Sequence, residues 1–314
     1  MGFNSLDNWR WINKKGHLQG ICWTLCSCFF SNLCDTIVRL VGGDLPAMQI
    51  TFFRLFFGTL IILPALLYKG KTSFVVKDKI GHLARIIIGF GAIACWISGA
   101  SQTSLPSVTT ISFSCPIIVL PLAYLFLGEK SDYKRVVSVI LGFIGVIIVA
   151  FFESNDARQT IGSLHLHSGI VFLFFGALLF AMSDILNKKM LASEGFFSLL
   201  FYFYFGTAII SFFPALLVWE SMKYEEIFYL AILGISGVLV LFCILKAAKA
   251  TEISSISTYK YVELIFSIIV GYILFKDIVK ISTILGASLI IPSACLIAYH
   301  EINKEKMKVE IETL

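Results

Sequence analysis

Long apolar runs separated by short charged interruptions fill nearly the whole chain, and a membrane-spanning helix uses roughly 20 such residues. The runs fall at about 18 to 41, 46 to 68, 83 to 103, 105 to 127, 133 to 152, 168 to 190, 196 to 219, 226 to 248, 252 to 275 and 279 to 300. This pattern predicts ten transmembrane helices. The first run follows basic residues, as the core of a signal peptide does. However, Asn32, Asp35 and Arg39 interrupt its end, and no small-residue cleavage site follows. It is therefore expected to be a retained first span.

The pattern also repeats once. Gly20 to Asp35 and Gly169 to Asp184 have the same separation, and each Asp is followed four residues later by a cation, Arg39 or Lys188. Phe57-Gly58-Thr59 recurs as Phe205-Gly206-Thr207, and Tyr124 to Glu129 is answered by Tyr272 to Asp277 at an offset of 148. Each unit holds an odd number of spans, so the second should enter the membrane upside down relative to the first. The expected fold is an all-α membrane protein with two inverted five-helix repeats, residues 18–152 and 168–300, joined by the loop 153–167 and flanked by tails 1–17 and 301–314. Inverted repeats are a carrier architecture, with substrate near the midplane between the halves.

Composition narrows the function classes. The 314 residues are 58% apolar and 14% charged, with mean hydropathy +0.87. A soluble domain runs to about half apolar and about a quarter charged. No length remains for a separate soluble catalytic domain. The net charge of +5 does not imply nucleic-acid binding, because placement matters more than the sum in such a chain. Eighteen of the 25 Lys and Arg fall on the side of the termini, five fall opposite, and Arg54 and Lys260 lie within spans. Both termini are therefore predicted cytoplasmic and the loop 153–167 periplasmic.

The eight cysteines lie in apolar segments without a CxxC pair, so neither a disulfide framework nor a zinc site is expected. The five histidines lie at span ends or in loops, and His165 and His167 lack further ligand-type company. Gly70-Lys71-Thr72 resembles the end of a phosphate-binding loop, but the glycine required upstream is replaced by Ala65. No cofactor or metal is expected, and a carrier of this kind would draw on gradients or exchange.

The five-plus-five pattern, Pro116 within Ser112-Phe113-Ser114-Cys115-Pro116, and Leu127-Gly128-Glu129 closing the fourth span resemble the drug/metabolite transporter superfamily of EamA type, over about residues 18 to 300. Phe52-Phe53-Arg54-Leu55-Phe56, Phe180 to Lys189, Tyr259 to Leu264 and Ile290-Ile291-Pro292 resemble, more closely, the S-adenosylmethionine uptake transporters of obligate intracellular bacteria. Lys260 stands where that group is expected to carry Arg, which keeps the charge but loses a bidentate fork. The resemblance implies uptake of S-adenosylmethionine across a bacterial inner membrane by alternating access, with S-adenosylhomocysteine as an exchange partner. It implies neither an enzyme nor a cofactor. Partners would be the small-molecule substrate and membrane lipid, and a homodimer is left open. The alternatives are an exporter of amino acids or related metabolites on the same fold, and a membrane-embedded enzyme acting on lipid. The enzyme would need carboxylate, His or Ser groups clustered at one interface, and no such cluster is apparent.

Ionisable groups within spans cost on the order of 2.5 to 3.5 kcal/mol each on insertion scales, so each needs a partner, a wet cavity or a function. Five stand out: Asp35, Arg54, Asp184, Lys260 and Glu263. At 1.5 Å rise per residue, Glu263 falls roughly 16 Å into the ninth span, near the midplane, and is the first choice for a binding residue. Lys260, Glu263, Ser267 and Gly271 would share one helix face. Lys260 and Glu263 could close as an internal ion pair or open to a zwitterionic ligand. Asp35 with Arg39 and Asp184 with Lys188 could close locally at i,i+4 spacing, or serve as matching elements of an outer and an inner gate. Arg54, about 12 Å into its span, could receive a substrate carboxylate, although pairing with Asp35 or a backbone carbonyl is the favoured reading.

Polar stripes at Thr24, Cys28, Ser31, Asp35 and Arg39, and at Ser107, Thr110 and Ser114, have helical spacing and suit helix packing or a cavity wall. Trp23, Trp96, Phe113, Tyr259 and Tyr261 lie at depths suited to a sulfonium or a purine, with Trp96 and Tyr259 preferred. Pro116 and Pro292 would kink their spans, as static bends or as hinges.

Overall fold

The computed structural model describes residues 17–70, 75–103, 105–112, 114–128, 168–253 and 259–276, with single positions between 133 and 144 and between 256 and 292. Its regular elements are all helical. In chain order they are α1 (His17–Val41), α2 (Ala47–Lys69), α3 (Lys79–Ala100), α4 (Leu105–Ser112), α5 (Cys115–Leu127), α6 (Ser168–Met190), α7 (Phe196–Leu217), α8 (Tyr224–Ala250), a 3-10 turn (Lys260–Val262) and α9 (Glu263–Phe275). The expected fifth and tenth spans lie largely outside the described residues. So do residues 1–16, the loop 153–167 and the tail 301–314.

Six helices, α1 to α3 and α6 to α8, are long and apolar enough to cross a membrane. Their boundaries follow local chemistry. Pro46 and Gly195 hold extended backbone just before α2 and α7, and the Asp78 side chain accepts the Gly81 amide at 2.8 Å to cap the start of α3. The helix α2 stops at Gly70, where φ is 84°, a backbone that a side chain rarely tolerates.

The fourth and ninth apolar runs differ from the single helices expected for them. In the fourth, α4 and α5 meet at Ser114, whose amide bonds the Ile111 carbonyl at 3.0 Å in a tightened i to i−3 turn. Pro116 follows immediately and has no amide to offer the preceding turn. In the ninth, the 3-10 turn Lys260–Val262 precedes α9. Ser114 and Val262 are 148 residues apart, the same offset as the sequence repeat. Both pieces also end alike: Gly128 and Lys276, again at that offset, take left-handed backbone with φ of 66° and 57°.

Packing runs mainly between the two halves of the chain. The helix α1 lies against α8, α3 against α6, α2 against both α7 and α8, α5 against α6, and α4 against α9. One core joins them, with Val38, Leu55, Ile97, Leu173, Leu199 and Leu233 fully buried. Outward faces are apolar as well, including Phe29, Leu60, Ile87, Phe175, Phe213 and Ile269. This suits hydrocarbon rather than water.

In hydrocarbon the pairing of helices relies on close packing, so small residues bring backbones together. Gly99 does this for α3 and α6. A Cβ there would lie 2.5 Å from the Leu173 Cγ and 2.6 Å from the Gly169 carbonyl oxygen, and the latter is backbone that cannot swing aside. Gly99→Val is therefore expected to destabilise the detergent-solubilised protein by about 1 to 3 kcal/mol through overpacking. Thermal unfolding measures it, and an unchanged midpoint would contradict this contact.

Candidate functional site

The candidate charges come together between the halves. Asp35 on α1, Arg54 on α2, Asp184 on α6 and Glu263 at the start of α9 are all buried. Buried ions in such a position need partners within the protein. The partners differ from those the local spacing suggested. Asp184 takes Lys260, whose ammonium donates to its carboxylate at 3.0 Å, in place of Lys188. Lys188 reaches across to donate to the carbonyls of Ala248 and Thr251, tying α6 to the last turn of α8. Helical spacing permits the i,i+4 pairs, but the exposed C-terminal carbonyls of α8 offer Lys188 a better-placed acceptor.

Asp35 likewise does not close on Arg39. The Trp96 indole donates to the Asp35 carboxylate at 2.8 Å, and the Arg39 guanidinium lies over the Phe275 ring at 4.1 Å. Trp96 is itself held edge-on by Phe180 at 5.7 Å. Glu263 faces Ser31 on the α1 stripe and lies in electrostatic reach of both Asp35 and Lys260. The expected Lys260 to Glu263 ion pair is thus replaced by Lys260 with Asp184, because packing of the ninth run against α6 brings the Asp184 carboxylate to 3.0 Å from the ammonium. Cys115, which is 148 residues before Glu263, faces the same pair of charges from α5 and lies near the Ala177 carbonyl at 3.4 Å.

Arg54 is different. It is 7% exposed, its Nε has no acceptor, and among the described residues no carboxylate closes an ion pair with it. Asp35 and Cys34 feel its charge, and so does Tyr204 on α7. Neither Tyr204 nor the Cys34 to Ser236 contact at 3.2 Å was singled out by sequence reasoning. One Tyr among eleven carries no signal of its own.

Tyr259 is buried, while Trp23 packs edge-on against Phe242 at 5.8 Å, away from the charges. Thr24 and Ser114 satisfy their hydroxyls on carbonyls of their own helices, at 2.7 Å each, so these two positions pack rather than reach into the cluster. Phe113 and the side chains of Ser107, Thr110, Pro116 and Tyr261 lie outside the described residues.

A second buried group joins α3 to the turn between α6 and α7. Arg85, one of the eighteen cations that the loop count places on the side of the termini, is fully buried, donating to the Asn187 side chain at 2.7 Å and the Leu199 carbonyl at 3.1 Å. Glu194 accepts the Lys77 and Asp78 amides at 2.8 and 2.6 Å, with His82 at 3.8 Å. Arg85 sits early enough in its helix to read as a flanking charge; only the tertiary packing supplies its acceptors.

The cluster between the halves can therefore present two carboxylates and one guanidinium to a ligand, with Asp184 and Lys260 neutralising each other beside them. The residues 18–151 and 167–299 each match the model of the EamA-like transporter family. The chain belongs to that family. As a family member with six apolar helices of spanning length, it is a multi-pass membrane protein.

The chain is 32% identical to the S-adenosylmethionine uptake transporter of Rickettsia prowazekii (strain Madrid E), over 94% of this chain and 98% of that protein. It is 33% identical to the transporter of the same name from Rickettsia conorii (strain ATCC VR-613 / Malish 7), over 91% and 95%. A more distant likeness, 27% identity over 87% and 76%, is to solute carrier family 35 member G1 of Mus musculus. A solved crystal structure with 14% identity shares the fold, with a TM-score of 0.72 over 89% of this chain and 98% of that one.

The pair of Asp184 and Lys260 yields a direct test. Asp184→Asn leaves a buried ammonium without its counter-charge and should lower stability by about 3 kcal/mol. Asp184→Asn combined with Lys260→Met should recover most of that loss in thermal unfolding. A double variant no better than the single would show that the two residues do not compensate one another.

Proposed function

We propose that this chain imports S-adenosylmethionine across a bacterial inner membrane, in exchange for S-adenosylhomocysteine, by alternating access between two inverted five-helix repeats with both termini cytoplasmic. The observation that carries the reading is the charge left over in the buried cluster. Once Asp184 and Lys260 neutralise one another, Asp35, Glu263 and Arg54 remain. S-adenosylmethionine carries an ammonium, a sulfonium and a carboxylate, the complement of two carboxylates and a guanidinium. The names and full-length likeness of the Rickettsia relatives support the same substrate.

Several features support the inverted arrangement. The family model matches twice. Exchanging the halves maps the packing of α1 on α8 onto that of α6 on α3, and leaves α2 on α7 in place. The breaks at Ser114 and Val262 fall at equivalent points of the two halves. Interrupted helices near a midplane site are places where carriers bind substrate and bend.

In this scheme Glu263 and Asp35 meet the two cationic centres, and Trp96 and Tyr259 supply aromatic faces. Trp96 also orients the Asp35 carboxylate. Arg39 and Lys188 act at opposite ends of the path, where their contacts with Phe275 and with the α8 carbonyls are made or released. The basic excess of the terminal side supports cytoplasmic termini.

Exchange has an electrical consequence. S-adenosylmethionine carries a net positive charge at neutral pH and S-adenosylhomocysteine is near neutral, so inward exchange moves charge down an inside-negative potential, a driving force of about 2.3 kcal/mol per 100 mV. Proteoliposomes with an inside-negative potential, loaded with S-adenosylhomocysteine, should accumulate labelled S-adenosylmethionine faster than unpolarised ones. Indifference to the potential would argue against net-charge uptake, and indifference to the internal product would argue against exchange.

A further inference from the structure

Arg54 on α2 is a buried cation that faces α7 and α8, and among the described residues no carboxylate closes an ion pair with it and its Nε meets no acceptor. Leaving a guanidinium in that state is costly unless something supplies the missing acceptors. Asp35 is the carboxylate within its electrostatic reach, yet Asp35 is committed to the Trp96 indole at 2.8 Å and forms no ion pair with Arg54. At Gly237 on α8, a Cβ would come within 3.0 Å of the Arg54 Nε, 3.1 Å of the Tyr204 hydroxyl and 3.4 Å of the Arg54 Nη2. Three polar atoms from two helices thus converge at one point, where the missing side chain of Gly237 lets them approach the α8 backbone closely. Tyr204 is held in place by its own fit against Gly58, where a Cβ would lie 2.4 Å from its ring.

We infer that Arg54 and Tyr204 form a carboxylate subsite, taking the α-carboxylate of the amino-acid end of the substrate. The inference deepens the uptake reading and rests on it. A planar guanidinium presents paired donors that match a carboxylate, and the phenol adds a third donor. The two carboxylates on the other side, Asp35 and Glu263, are then left for the ammonium and the sulfonium. This arrangement fixes the orientation of the ligand, with the amino-acid end toward α2, α7 and α8 and the remainder toward α1 and α9. It also gives the guanidinium a counter-charge that no described residue supplies as an ion pair.

The test compares S-adenosylmethionine with its decarboxylated analogue, which keeps the sulfonium and the amine but lacks the carboxylate. Binding of each to the purified protein in detergent is measured for the wild type, Arg54→Gln, Arg54→Lys and Tyr204→Phe, with thermal unfolding as a check that each variant is folded. The wild type should prefer S-adenosylmethionine by about tenfold or more, the loss expected when a charge-assisted hydrogen-bonded pair is removed. Arg54→Gln should abolish that preference while leaving the analogue within about twofold of its wild-type affinity. Arg54→Lys should keep part of the preference, and Tyr204→Phe should reduce it to a smaller degree.

Equal weakening of both compounds by Arg54→Gln would overturn the assignment, as would a wild type that binds the two equally well. A wild type that binds neither compound would overturn the uptake reading, and the subsite with it.

Discussion

Charge placed between apolar helices has to be answered inside the protein, because hydrocarbon supplies no water to do it. That constraint organises the molecule. Lys260 and Asp184, from elements far apart in the chain, meet at 3.0 Å and so join the ninth run to α6. Asp35 draws the Trp96 indole toward it, which joins α1 to α3. Glu263 and Ser31 join α9 to α1. At the end of the bundle near the α6 to α7 turn, Arg85 of α3 donates to the Leu199 carbonyl of α7, and the Asp78 amide at the start of α3 donates to the Glu194 carboxylate. Each of these links is polar and each crosses between helices, so the polar groups decide which apolar faces come together.

The apolar surfaces alone would not be selective, since a Leu face packs as well on lipid as on another helix. Close approach adds the rest. Gly99 allows α3 to touch the backbone of α6, and Gly237 lets Arg54 and Tyr204 pack close against α8. The breaks at Ser114 and at Lys260–Val262 then interrupt two helices where those charges gather. A break exposes carbonyls and amides and lets each helix half tilt separately, which only a lining of protein or ligand can tolerate at membrane depth. The helix breaks and the charged cluster therefore fall in the same region of the fold.

Much of this was legible in the sequence. The apolar runs locate the six long helices within a few residues, and the identity of the buried charges, from Asp35 to Glu263, needed nothing beyond their interruption of those runs. Their partners were not legible. Helical spacing suggested Asp35 with Arg39, Asp184 with Lys188 and Lys260 with Glu263; the structure instead pairs groups from different helices, because tertiary packing brings better-aligned donors such as Trp96 than the local turn can. The same limit hid Tyr204, which has no distinguishing neighbour in sequence, and the burial of Arg85. Arg54 shows the reverse case: its depth was clear from the sequence, but only the structure shows that its Nε meets no acceptor among the described residues.

The central claim is that charge complementarity within this cluster selects a substrate bearing a sulfonium, and Glu263 is the group that most directly expresses it. The decisive measurement is the affinity of the Glu263→Gln protein for S-adenosylmethionine and for S-adenosylhomocysteine, which differ by the methyl group and its charge. The account predicts that the substitution weakens S-adenosylmethionine by about tenfold or more and leaves the uncharged thioether little changed. Equal affinity loss for the two, or none for either, would contradict it.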